Sequence, residues 1–516
     1  MRFVRLGDTW PGFYRDEAIE ACQALALLKG EILPSDPYIM FARFPLWNLA
    51  EIPFMALDGH SVLAARLPAA LTGLLTAALA YPVLASLFGP WSGVLGTGMI
   101  AFSLWHLVYS RLAVPVVLVP LQGLILAWLV MRPTGSGTVT RRAGAWGLAA
   151  GLVAGSGIFS YYAGFSLVPA LVAAVMARLY ADGEFRKRGG AFTSGAVMGL
   201  LIASALVFLR HDSFAGVTRF PRAGLSDLPG NLLACLAATF LHSGGEAEAM
   251  RIGIWSVYPP GAPLLSPLET AAVLAGLWGL WGPSALRWQT AAVLAWLVAG
   301  LLPAAFGADG VRASRCAGAL VPLVLLASIG VRQAMARVPR FMPAVVGAWL
   351  ALQCGLTAHG LFGGYLRDPR VALWADRPET EAALYLKART ADEPVVLASP
   401  MSYLTNPVAW FLLRTEIASG RLRLKPGPVP SAPLVEKVIR DPVYGQPAFF
   451  VLRSRGSEYG GPPVLALVSP EGILGVGDGL MREGLWREAA AHYYQVLRLF
   501  PDFRLARLRY EEALRH

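Results

Sequence analysis

VLAARLPAALTGLLTAALAYPVLASL, residues 62–87, carries one charged residue, Arg66, close to its start. A run this apolar has no polar face to offer water, and it is long enough to cross a bilayer, which takes about 20 residues. Runs of the same kind recur along the chain. We read ten spans, near 62–87, 90–108, 114–131, 145–162, 165–181, 190–209, 268–285, 288–306, 315–332 and 341–362. The expected fold class is therefore an α-helical polytopic membrane protein. Composition agrees: of 516 residues, 55% are hydrophobic and 15% charged, against about a quarter charged in soluble domains.

The net charge of +11 does not point to nucleic acid. Much of the arginine excess lies in short linkers between apolar runs, where it orients the chain in the bilayer. Arg132, Arg141 and Arg142 share one linker. Arg178, Arg186, Lys187 and Arg188 share a second, and Arg332, Arg337 and Arg340 a third. Counting spans puts all three on one face, which the positive-inside tendency makes cytoplasmic. The outer face then receives residues 1–61, the loop 210–267, the short loop 307–314 and everything after about 363. That places the protein in the inner or plasma membrane, multi-pass, with its C-terminal part extracytoplasmic. An outer N-terminal segment needs something to carry it across, so a helix ahead of Met1 is expected. Cys22, Cys235, Cys316 and Cys354 are scattered without metal-type spacing.

Within 1–61, DEAIEACQALALLKGE (16–31) reads as one short amphipathic helix and PLWNLAEIPFMAL (45–57) as another. Asp16 and Glu20 are four apart and share a helix face, while Glu17 points about 100° away. Acids in a first turn suit the helix dipole, and an ordinary surface helix would explain them. Their place at the outer membrane face gives a second reading, in which a carboxylate at the mouth of a cleft takes a proton from an attacking hydroxyl. Arg43, Arg66, Arg111 and Arg315 lie near membrane level on the same side. Ionisable groups there commonly mark a substrate path, and guanidinium matches phosphate oxygens bidentately. Snorkelling of arginine to the interface is the structural alternative. No metal-ligand motif, phosphate loop or nucleophile elbow is present, so no metal or cofactor is expected, and a divalent ion has no support in the sequence.

After the spans the composition changes. Residues 363–469 read as a small α/β domain: RPETEAALYLKARTAD a helix, VVLA a strand, LVEKVIR a helix, PAFFVLRS and PVLALVSP strands. In 470–516, Gly477, Leu480, Gly484, Trp486, Ala489, Tyr493, Val496 and Pro501 fall near the spacings of one tetratricopeptide unit. A lone unit leaves a face to cover, which makes the tail a candidate site for a protein partner.

The order of these features resembles the GT-C membrane glycosyltransferases, in the superfamily of dolichyl-phosphate-mannose protein mannosyltransferases and bacterial aminoarabinose transferases, with bacterial family 39-type proteins nearest. The resemblance spans roughly residues 5 to 415. It rests on RLGDTWPGFYRDEA, ARFPLW, LAARLPAALTGLL, SLWHLVYSRLAV, YPPGAPLLSPLETA and TEAALYLKARTADEPVVLASP. It implies a transferase that moves a sugar from a polyprenyl-phosphate donor to an acceptor on lipid, protein or polysaccharide at the outer face. It implies Asp16 as the catalytic base or acceptor organiser, with Glu17 beside it, and Arg43 at the lipid phosphate. Arg66 and Arg111 match recurrent family arginines. The chain departs from the aminoarabinose branch at Ala42 and Val116, where that branch has acids, at SVYPPGAP, where related members have a histidine element, and at Phe165, where an arginine is common. The family helix ahead of the acid loop is also missing. These departures leave one alternative, a catalytically degenerate member acting as a binding or scaffold protein; a secondary transporter is a further one, against which stand the ionisable residues at the outer ends and the lack of an inverted repeat.

Overall fold

In the computed structural model the described residues are 1–8, 11–31, 45–131 except 60, 140–208 except 182, 224–241 except 225, 263–307 except 283, 312–392, 395–397, 407–424, 434–440, 447–453 and 465–468, followed by 478, 481, 484–499 and 504–515. They divide into two compact units. One holds Met1–Asp8 and Ile19–Trp374, the other Thr9–Ala18 and Ala375–His516. The division falls inside the first helix, α1 (Arg15–Leu28).

The first unit is helical. After α1 come α2 (Pro45–Asp58), α3 (Val62–Phe88), α4 (Pro90–Phe102), α5 (Leu104–Tyr109), α6 (Leu118–Met131), α7 (Thr140–Ser156), α8 (Leu167–Ala181) and α9 (Gly183–Phe208). They are followed by α10 (Leu228–Phe240), α11 (Pro267–Gly276), α12 (Ser284–Ala305), α13 (Leu320–Arg337), α14 (Met342–Ala358) and α15 (Pro369–Trp374). Five stretches among the described residues are long and apolar enough to cross a membrane: Val62–Phe88, Tyr162–Tyr180, Arg287–Ala305, Arg315–Arg337 and Met342–Arg367. The protein is thus a multi-pass membrane protein. The stretch at 315–337 is the centre of the bundle, 78% buried within the protein, whereas 342–367 is 22% buried and faces outward.

Local chemistry explains the joints. Gly89 adopts φ +102° between α3 and α4, a backbone conformation that favours glycine, and Pro90 then starts the next helix. The expected continuous span at 90–108 is instead broken at Ser103. A break frees carbonyls that hydrocarbon cannot satisfy. Here Phe102 O accepts from Gln353 Nε2 at 3.2 Å and from Thr357 Oγ1, so α14 repairs the break. The closest helix pair is α7 with α9. A side chain at Gly147 would stand 1.9 Å from Phe192 O, and one at Gly151 2.1 Å from Ala196 O. Only glycine permits that backbone approach, which is how helices associate where the surroundings are as apolar as they are.

The second unit contains a five-stranded mixed sheet in the order β2-β1-β5-β4-β3, with β1 (Val395–Leu397), β2 (Leu422–Leu424), β3 (Leu434–Arg440), β4 (Pro447–Arg453) and β5 (Leu465–Val468). β1 runs parallel to β2 and β5, and the β3-β4-β5 portion is antiparallel. The helix α16 (Arg377–Asp392) buries Ala382, Ala383 and Leu386, while Val408, Ala409 and Phe411 are buried on α17 (Pro407–Leu412). Phe13 joins this core with its ring centroid 5.1 Å from that of Phe411. LVEKVIR, expected as a helix, is strand β3. Its apolar positions 435 and 439 also fit a period of two, and antiparallel pairing with PAFFVLR outweighs its helix propensity. After the short helix α18 (Arg414–Ala418), α19 (Trp486–Leu499) and α20 (Arg504–Leu514) form a helical hairpin. Ala489, Tyr493, Ala506 and Ala513 are buried in it. Gly477, Leu480 and Pro501 of the repeat pattern lie outside the described residues.

Candidate active site

The acid motif enters the second unit through its backbone. Residues 13, 14 and 15 precede or open α1, where N–H groups have no intrahelical acceptor. Each is taken by a side chain. Phe13 N donates to Thr380 Oγ1 at 3.0 Å, Tyr14 N to Glu17 Oε2 at 3.0 Å, and Arg15 N to Asp376 Oδ2 at 2.7 Å. Glu17 is fully buried and works as the returning half of a capping box. Asp16, next to it, is half-buried and turned to a different side. The two neighbouring acids therefore differ in exposure, Glu17 being buried and Asp16 partly exposed.

Two further carboxylates share this corner. Asp376 sits in the left-handed region at φ +51° just ahead of α16. Burial pushes its carboxyl up to about 7; the charges of Glu379 and Asp16 push the same way, and the Arg15 N–H and guanidinium oppose them. Burial also raises Glu379, whose Oε1 accepts the Ala409 N–H at 3.3 Å. The backbone is close-fitted as well, since a side chain at Gly12 would stand 2.0 Å from Ala375 O.

The expected phosphate arginines belong to the first unit, apart from Arg43, which lies outside the described residues. Arg66, Arg111 and Arg315 are all buried. Arg66 Nη1 donates to Asp8 O at 2.9 Å. Arg111 Nη1 donates to the carbonyls of Met1, Arg2 and Val4 at 2.7, 3.1 and 2.9 Å. Arg2 in turn reaches Ile100 O at 2.9 Å, Ala101 O at 3.1 Å and His106 Nδ1 at 2.9 Å. Two of the four arginines thus hold the turn formed by residues 1–8. Arg315 opens a short 3₁₀ turn ahead of α13.

Sequence reasoning named Glu20 but missed Asn48, Glu51, Asp376 and Thr380. Glu20, Asn48 and Glu51 are fully buried between α1 and α2, with Asn48 Nδ2 donating to Glu20 Oε2 at 2.9 Å. The i, i+3 spacing of Asn48 and Glu51 was the available signal. Asp376 and Thr380 offered none, being more than 360 positions from the segment they hold. Among the described residues no group of three or more His, Cys, Asp or Glu could hold a metal ion.

Residues 45–208, from α2 to the end of α9, match the family described as dolichyl-phosphate-mannose-protein mannosyltransferase. The crystal structure of ArnT from Cupriavidus metallidurans bound to undecaprenyl phosphate aligns over 80% of this chain and 82% of its own, at 15% identity and a TM-score of 0.50. The apo structure of the same protein aligns over 77% and 79%, at 14% identity and a TM-score of 0.48. No curated protein matches the chain in sequence.

The fold is similar to that of ArnT, and residues 45–208 carry the match to the mannosyltransferase family. The family match takes in α3 and its Arg66, α5 with the Arg111 that follows it, and the α7–α9 pair. In this chain the acid motif lies ahead of the matched segment, and the groups that hold it lie far beyond its end.

Proposed function

We propose that the protein is an integral-membrane glycosyltransferase that moves a sugar from a polyprenyl-phosphate donor to an acceptor hydroxyl on the extracytoplasmic face. The observation that carries this reading is Asp16: a half-buried carboxylate in the first turn of a helix, directly after three residues whose N–H groups are each held by a side chain. An acid held that way can serve as a general base without reorganising its backbone. Asp16 takes the proton of the acceptor hydroxyl as its oxygen attacks the anomeric carbon. The bond to the phosphate oxygen breaks, and the polyprenyl phosphate leaves with the electron pair. A single displacement of this kind inverts the anomeric configuration. The leaving phosphate falls to guanidinium groups of the set Arg43, Arg66, Arg111 and Arg315, of which Arg66 and Arg111 also hold the N-terminal turn through Nη1. The ArnT structure with undecaprenyl phosphate makes a lipid phosphate a reasonable donor class for this fold.

The test is sugar transfer in membranes holding the full chain, with undecaprenyl-phosphate-linked sugars as donors and mass spectrometry of the products. Asp16→Asn should lower the rate by at least about 100-fold, the range expected for loss of a general base. An equal rate would remove Asp16 from the mechanism. A second reading, a binding or scaffold role, draws on the C-terminal hairpin, whose Tyr494, Leu508 and Leu514 are more than half exposed. Deleting residues 484–516 should then abolish copurification of a partner and leave the membrane unit intact; unchanged copurification would dismiss it.

A further inference from the structure

We propose that Asp376 and Thr380 are positioning residues for Asp16, so that the start of α16 fixes the reactive acid through the backbone ahead of it. This rests on the reading of Asp16 as the general base. The geometry is specific. Thr380 Oγ1 and Asp376 Oδ2 take the N–H groups of Phe13 and Arg15 at 3.0 and 2.7 Å, and the buried Glu17 takes that of Tyr14 between them. Each N–H is an orphan that water would otherwise satisfy, and engaging all three leaves this backbone a single orientation. Thr380 is itself fixed, because its Oγ1 donates to Asp376 O at 2.9 Å and its N–H reaches the same carbonyl at 2.9 Å. One carbonyl thus orients the residue that holds position 13, and the same residue's carboxylate holds position 15. Asp376 does this from a left-handed conformation at φ +51°. Strain of this kind persists where the surroundings determine it and is commonly found near functional sites. The close approach of Gly12 to Ala375 O completes the seat, since any side chain there would push the segment away.

The cost of losing the clamp should fall on the chemical step. A shift of about 1 Å in a catalytic group can reduce turnover about 100-fold while leaving a remote lipid site untouched. Four variants of the full chain in proteoliposomes separate the causes. Asp376→Gly suits the left-handed backbone but removes the acceptor. Asp376→Asn keeps both the conformation and an acceptor oxygen. Thr380→Val removes the hydroxyl at constant shape, and Thr380→Ser keeps it. With a panel of undecaprenyl-phosphate-linked sugars, Asp376→Gly and Thr380→Val should lower kcat by about 10- to 100-fold with donor KM changed less than about twofold. Asp376→Asn and Thr380→Ser should stay within about threefold of the parent. Wild-type kcat in the Asp376→Gly, Thr380→Val double variant overturns the proposal.

Amide hydrogen exchange gives a readout that needs no activity. Peptides covering 13–17 should exchange at least about tenfold faster in Asp376→Gly, with those covering 382–390 unchanged. Unchanged exchange at 13–17 also overturns the proposal. If the parent chain transfers no sugar, or Asp16→Asn equals it, the functional reading fails, and the exchange result alone then decides whether the clamp exists.

Discussion

Asp376 is a carboxylate whose proton affinity reports on the site it supports. Burial is the main reason that its pKa rises from the ordinary 3.8 to about 7. Glu379 on its own helix and Asp16 on α1 add to the rise, while Arg15 on α1 opposes it. The sign follows from linkage. A group that binds its proton more tightly when folded contributes stability that is complete below the unfolded pKa and is lost as pH rises through the folded one. The thermal stability of the second unit should therefore fall as pH is raised through about 7. Asp376→Asn should flatten that decline, with a smaller slope of the same sign left by Glu379, which is raised for the same reason. A wild-type slope in the variant would assign the decline elsewhere. Arg111 gives a second prediction at this scale. Its Nη1 serves three carbonyls of residues 1–4, and it is 6% exposed. Hydrogen bonds to a charged group contribute about 1.5–3 kcal/mol each, and buried acceptors left unmade cost more. Arg111→Ala should destabilise the first unit by about 2–4 kcal/mol, read as a lowered unfolding temperature in detergent. Arg111→Lys should recover only part, because an ammonium lacks the planar fork.

At the scale of elements, the pairing of α7 with α9 depends on residues that have no side chain to contribute. Gly151→Leu would drive a branched side chain into the Ala196 carbonyl, where even one carbon would stand 2.1 Å away. The helices must separate or shift, and the variant should lose most of its folded, monodisperse population on size-exclusion chromatography. Gly190→Leu, at a position with open space, should not. The helices themselves were legible in the sequence because hydrocarbon demands long uninterrupted apolar runs, and α3 begins and ends almost where its composition does. The break at Ser103 was not legible. It depends on Gln353 and Thr357, which lie 251 and 255 positions from the carbonyl they satisfy. Strand β3 was misread because its apolar pairs at 434–435 and 438–439, four apart, fit a helix face, and the pairing with β4 decided it. The site divides in the same way. Asp16 is marked by its place in the first turn of a helix. Arg66 and Arg111 are marked as membrane-level cations, yet a guanidinium suits a phosphate oxygen and a peptide carbonyl alike. What selects the carbonyl is the folded turn at 1–8, brought from more than 50 positions away.

For the whole molecule, charge and packing agree on which helix ends lie together in the first unit. Arg332 Nη1 donates to Leu87 O at 3.0 Å, near the end of α3, and Arg337 lies 5.8 Å from the ring of Trp278, just past the end of α11. The ends of α3, α11 and α13 therefore form one basic face. The opposite ends meet where Ser266 Oγ donates to Gln353 Oε1 at 2.7 Å and Trp105 Nε1 to Ala313 O at 3.1 Å. The positive-inside tendency predicts that this basic end faces the cytoplasm. Met342–Arg367 is long and apolar enough to cross a membrane, and a crossing predicts that residue 341 and the residues after 367 are reached from opposite sides. In a variant lacking Cys22, Cys235, Cys316 and Cys354, a cysteine at Phe341, which is 68% exposed, should react with a membrane-impermeant maleimide only after the cells are permeabilised. A cysteine at Ser419, exposed in the second unit, should react in intact spheroplasts. Labelling of both positions from the same side would mean that 342–367 does not cross, and would count against the proposed extracytoplasmic place of Asp16, which folds with the second unit.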